Sequence, residues 1–138
     1  MSKAKSTLAA LLMAACGGGA LLCAQPAAAQ GDEWKKLNQE VQSLYRQGQY
    51  DRAIVVARKA LAVAEKTHGP DHPNVAISLN SLAELYRAQG QYAAAEPLFK
   101  RSLSIREKAL GSNHPRVATV LNNLAELYRA QGRYAEAE

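Results

Sequence analysis

Along the chain apolar residues recur at helical spacing: Leu79, Leu82, Ala83 and Tyr86 occupy positions i, i+3, i+4 and i+7, and Leu121, Leu124, Ala125 and Tyr128 repeat the set. Each set is one apolar stripe of an amphipathic helix. Punctuation bounds these stripes. Pro73 and Pro115 suit a first helical position, where an N–H has no partner to lose, and Gly90 and Gly132 suit the left-handed residue that closes a helix. The spacing predicts helices over 73–89 and 92–110, the second stopped by Gly111. An earlier pair is predicted over 32–47 and 50–67, stopped by Gly69 and Pro70. These are antiparallel hairpins, so the fold class is all-α.

The stripes belong to a longer self-similarity. HPNVAISLNSLAELYRAQGQYAAAE (72–96) returns as HPRVATVLNNLAELYRAQGRYAEAE (114–138), at a step of 114 − 72 = 42 residues. Of the 25 aligned pairs six differ, leaving 25 − 6 = 19 identities. The same step links Gly48, Gly90 and Gly132, then Tyr50, Tyr92 and Tyr134, then Ala53, Ala95 and Ala137. A unit this short cannot bury its own apolar face and gains stability by stacking on its copies. Three units are expected, over 32–71, 72–113 and 114–138, the last stopping early in its second helix. That leaves Leu121, Leu124 and Tyr128 without the partner helix that Phe99 and Leu103 supply one unit earlier. The expectation is a longer array or, for the chain as it stands, self-association through that edge.

A different segment precedes the repeats. Lys3 and Lys5 lead an apolar and small-residue run from Leu8 to Ala24, followed by QPAAAQ. A basic start, an apolar middle and small residues at Ala27 and Ala29 predict a signal peptide over 1–29, cut between Ala29 and Gln30, and a periplasmic or secreted protein. Two rivals stay open. MAAC at 13–16 resembles a lipobox, which would tether the protein to a membrane by a lipid on Cys16, and the run could remain as a span, although Gly17, Gly18 and Gly19 interrupt it. Cleavage would remove both cysteines, Cys16 and Cys23, leaving 138 − 29 = 109 residues without a thiol. The net charge of +5 would fall to 15 − 12 = +3. Charges of both signs alternate along the repeats, which speaks against a nucleic-acid partner.

The pattern LNxLAELYRAQGxYAxAE, followed by PLFKRSLSIREKALGSNHP, resembles the long-period tetratricopeptide repeat (TPR) of kinesin light chains and of many bacterial arrays. The resemblance covers nearly everything after residue 32. It implies a right-handed superhelical solenoid whose first helices line a concave groove for a peptide or protein segment. The function it implies is an exported interaction scaffold or, alternatively, the N-terminal interaction module of a larger secreted enzyme or receptor. Leu79, Leu82, Ala83, Tyr86, Ala95, Phe99 and Leu103 are the expected core, each large side chain worth roughly 1.5 to 3 kcal/mol when buried.

Asn80, Glu84 and Arg87 fall on one face of the first helix and recur as Asn122, Glu126 and Arg129. An amide can both donate to and accept from a peptide backbone, and Arg can hold a carboxylate with two N–H groups. With Asn38 from the first unit they are the candidate peptide-binding residues. Gln42 and Tyr45 stand where the later units have Glu and Arg, which breaks the ladder there. His68 and His72 are four apart but separated by Gly69 and Pro70, so they share no helical face, and no cysteine or carboxylate cluster completes a metal site. No catalytic elbow or phosphate-cradling glycine loop stands in the repeats, and neither an enzyme activity nor a cofactor is expected. Pro97, where the first unit has Val55, is expected to bend its helix slightly.

Overall fold

The computed structural model describes residues 27–138, and every regular element among them is a helix. Helix α1 (Ala27–Arg46) pairs with α2 (Tyr50–His68), α3 (Pro73–Ala88) with α4 (Tyr92–Leu110), and α5 (Pro115–Ala130) with the short α6 (Tyr134–Ala137). Of the four helices that periodicity placed by residue, α2, α3 and α4 lie within one residue of the expected bounds. The exception is α1, which already includes Ala27, the first described residue, where the pattern predicted 32; three alanines are strong helix formers and only Gly31 intervenes. The expected cleavage point between Ala29 and Gln30 therefore lies within this helix. The rest of the expected signal segment, with Cys16 and Cys23, lies outside the described residues. No described helix is long and apolar enough to cross a membrane.

The turn inside each hairpin is built the same way three times. Gly90 sits at φ +74°, its N–H donates to Arg87 O at 2.9 Å, and the Gln91 N–H reaches back to Tyr86 O at 2.8 Å. These bonds satisfy carbonyls that the helix end leaves free, and only glycine takes that conformation without strain. At the opposite end His72 caps α3: its Nδ1 accepts from the Asn74 N–H at 3.1 Å, and His114 does the same for Arg116 at the start of α5. The His68 and His72 rings stack 4.1 Å apart across the Gly69–Pro70 turn, so the two approach through a loop and not along a helix. Among the described residues no group of three metal-ligating side chains forms.

Two apolar clusters form a seam through the hairpins, bridged by the half-buried Val56, Leu61 and Leu98. Leu79, Leu82, Ala83, Tyr86, Ala95 and Phe99 are buried as expected, whereas Leu103 is half-buried and packs on the seam's flank. Trp34 closes the first junction. Its indole N–H donates to Ser78 Oγ at 2.8 Å, and Ser102 donates to Ala76 O at 2.8 Å, so both buried hydroxyls are paired. Helix α4 runs unbroken through Pro97, whose ring faces solvent near the helix start where few hydrogen bonds are at stake.

The backbones of α1 and α3, and of α3 and α5, approach one another, while those of α2 and α4 do not and are spanned by the Arg101–Glu65 ion pair. The first helices of the hairpins thus crowd together and the second helices splay. That asymmetry curves the stack and puts α1, α3 and α5 on its inner side.

Candidate ligand groove

On the inner side a cleft of about 360 Å³ opens across three first helices. Val41, Gln42, Tyr45 and Arg46 of α1 form one wall, and Asn80, Ser81, Glu84 and Leu85 of α3 form the floor. Thr119 and Asn123 of α5 complete it. The cleft surface is mainly apolar, with the amides of Gln42, Asn80 and Asn123, the hydroxyls of Ser81 and Thr119, the Glu84 carboxylate and the Arg46 guanidinium set into it, a composition suited to an extended peptide. Asn80 is fixed within it, since its Oδ1 accepts from Asn123 Nδ2 at 3.2 Å.

The expected ladder is present only in part. Asn80 and Glu84 line the cleft, but Asn122 is exposed and its place is taken by its neighbour Asn123. Arg87 donates to Glu84 at 2.8 Å and to Glu126 at 3.1 Å, linking two repeats. Burial works against the Arg87 charge, yet the Glu84 hydrogen bond and the charges of Glu84 and Glu126 hold the guanidinium above its ordinary value. Its terminal nitrogens already hold two carboxylates, so it serves as a clamp between helices and not as an open grip on a ligand. Arg129 is exposed and enters none of the described ion pairs. Asn38 is half-buried, outside the cleft wall, with Oδ1 buried and unpaired among the described residues.

Tyr45, Ser81, Thr119 and Asn123 are lining residues that the repeat identities did not single out. Two pairs in exact register, Ser81 with Asn123 and Ile77 with Thr119, are among the six differing positions. Difference between the copies was the available signal.

Stacked helical hairpins with an inner polar cleft define a helical-repeat interaction scaffold. The tetratricopeptide repeat family model matches residues 36–108 and 82–138, and the chain belongs to that family, in its kinesin-light-chain-like form. The crystal structure of a Podosopora anserina putative kinesin light chain with nearly identical TPR-like repeats is similar to it, with a TM-score of 0.67 and 29% identity. The match covers 75% of this chain and 49% of that one. Two shorter matches are to an RxLR effector protein of Phytophthora infestans, 47% identical over 45 residues, and a secreted RxLR effector protein of Plasmopara halstedii, 44% identical over 50 residues. They cover 33% and 36% of this chain but only 13% and 15% of those relatives.

Proposed function

We propose that the inner cleft binds an extended peptide or protein segment of a partner, and that the protein does this after export. The observation that carries the first part is the Asn80–Asn123 pair with Glu84 and Gln42 beside it, which offers donors and acceptors from three adjacent helices. A backbone laid across them finds hydrogen bonds that a single helix could not supply. The basic and apolar opening segment, with Ala27 and Ala29 before Gln30, supports export, and one similar protein is described as secreted.

Peptide display against the full chain tests the reading. Selected peptides should lose about tenfold in affinity in Asn80→Ala combined with Asn123→Ala, the scale of one or two lost hydrogen bonds. Equal affinity in the double variant would remove the cleft as the binding site. Both matched effectors are several times longer than the region they share with this chain, which favours a second reading: the repeats act as the interaction module of a larger secreted protein. Genomic sequence downstream of Glu138 decides between them.

A further inference from the structure

A second cavity, of about 320 Å³, lies where α3, α4 and α5 meet. Pro73, Ile77 and Leu110 make its apolar wall, Thr119 joins it to the cleft described above, and Arg106 and Arg116 bring two positive charges. Half-buried Arg106 donates from Nη1 to the Arg116 carbonyl oxygen at 2.9 Å, which holds its guanidinium against the start of α5. Neither arginine enters an ion pair among the described residues, whereas Arg87, Arg101 and Arg133 all hold carboxylates. Burial and then the Arg116 charge push the Arg106 guanidinium below its ordinary value. A partly desolvated cation such as Arg106 is normally paired, so the pocket holds positive charge that no carboxylate among the described residues neutralises, with the exposed Arg116 beside it.

Repeat register shows that the feature is not a by-product of stacking. One unit earlier the equivalent positions, 106 − 42 = 64 and 116 − 42 = 74, are Ala64 and Asn74, and the apolar Ile77 and Leu110 are replaced by Lys35 and His68, so the pair of arginines beside an apolar wall belongs to the later junction. Arg116 also lies in the first turn of α5, where the positive end of the helix adds to the same field. Two guanidinium groups match a doubly charged oxyanion better than a single carboxylate, and an apolar wall beside them matches an organic substituent. A cavity near the lower limit for small-ligand sites, about 300 Å³, sets the size.

We propose that this pocket is a binding site for a small phosphate monoester, its phosphoryl oxygens on Arg106 and Arg116 and its organic group against Pro73, Ile77 and Leu110. Phenyl phosphate is the probe, titrated into the isotope-labelled full chain at millimolar concentration with inorganic phosphate and benzoate as parallel arms. Amide signals of Ile77, Leu110 and Thr119 should shift together, and phenyl phosphate should bind about tenfold tighter than either benzoate or inorganic phosphate. Arg106→Gln should weaken binding about tenfold, as should the exposed Arg116→Gln, which keeps the test valid if the half-buried variant folds poorly. Lys108→Gln, an exposed charge change outside the pocket, should leave binding unaltered. Absence of shifts at those amides, benzoate binding as tightly as phenyl phosphate, or undiminished binding in Arg116→Gln would each overturn the proposal.

Discussion

Helices α3 and α5 differ at only four of their 16 positions, and they bury Leu82, Leu85 and Tyr86 as they bury Leu124, Leu127 and Tyr128, yet one edge of the stripe has a different fate in each. Leu79 is fully buried at 0% exposure while its copy Leu121 is 47% exposed; Glu84 is half-buried and Glu126 exposed. Local sequence cannot cause this, because both segments have the same cap, the same proline, the same closing glycine and nearly the same stripe. Neighbours cause it. Helix α3 lies between two long second helices, α2 and α4, whereas α5 has α4 on one side and the four-residue α6 on the other. In a stacked array a residue's burial, and with it its chemistry, is set by the adjoining hairpin.

The largest effect that can sharpen the contrast is a matched pair of truncations. Leu79→Ala should destabilise by about 2–5 kcal/mol through a cavity in the seam, and Leu121→Ala by about 0.5 kcal/mol, measured by urea unfolding followed by circular dichroism. Comparable losses would mean that the two helices are equally packed. Next comes Ser78→Val, which installs the residue that the third unit has at the equivalent position 120. It should cost about 1–3 kcal/mol because the Trp34 indole N–H loses its acceptor, and Trp34→Phe in the same chain should recover part of that loss. A third variant, Glu126→Gln, takes away one of the two anions on Arg87. Its pair is more than half exposed on the glutamate side, so the loss should stay below about 1 kcal/mol and shrink in high salt.

The smallest effect is one of pH. Burial and the neighbouring His68 lower the His72 value, so the unfolded chain binds this proton more readily than the folded one. Stability from this group is fully present above the unfolded value of about 6.5 and declines as the pH falls through it. His72→Asn keeps a capping acceptor and should flatten that decline between neutral and mildly acidic pH, read as the change in unfolding midpoint. An unchanged slope would show that the stacked pair carries no linkage.

Legibility in the sequence divides along the same line. Helices were readable because their determinants are local: an apolar period, a proline at the start, a glycine at the end. The missing partner helix made Leu121, Leu124 and Tyr128 the expected exposed edge, and only Leu121 is exposed: Leu124 and Tyr128 are buried in the cluster that holds Phe99, because their side of α5 faces the preceding hairpin. The cleft was half readable. Asn80 and Glu84 stand out by recurrence, but recurrence also promoted Asn122 and Arg129, which are exposed, and Arg87, which is bound up with two glutamates. Positions that every copy needs for stacking must repeat, whereas Ser81, Asn123, Thr119 and Arg116 are free to differ and so give the cleft and the cationic pocket their particular linings. Trp34 is another case, because its register partner is Ala76 and only the fold reveals Ser78 as its acceptor.

Residue-resolved amide hydrogen exchange on the native full chain tests the neighbour rule most directly, because it compares two stretches that differ only at Ser81 and Asn123 within one molecule under one condition. The amides from Leu79 to Tyr86 should exchange at least about tenfold more slowly than their copies from Leu121 to Tyr128. Equal protection in the two stretches would contradict it and return the difference between them to local sequence.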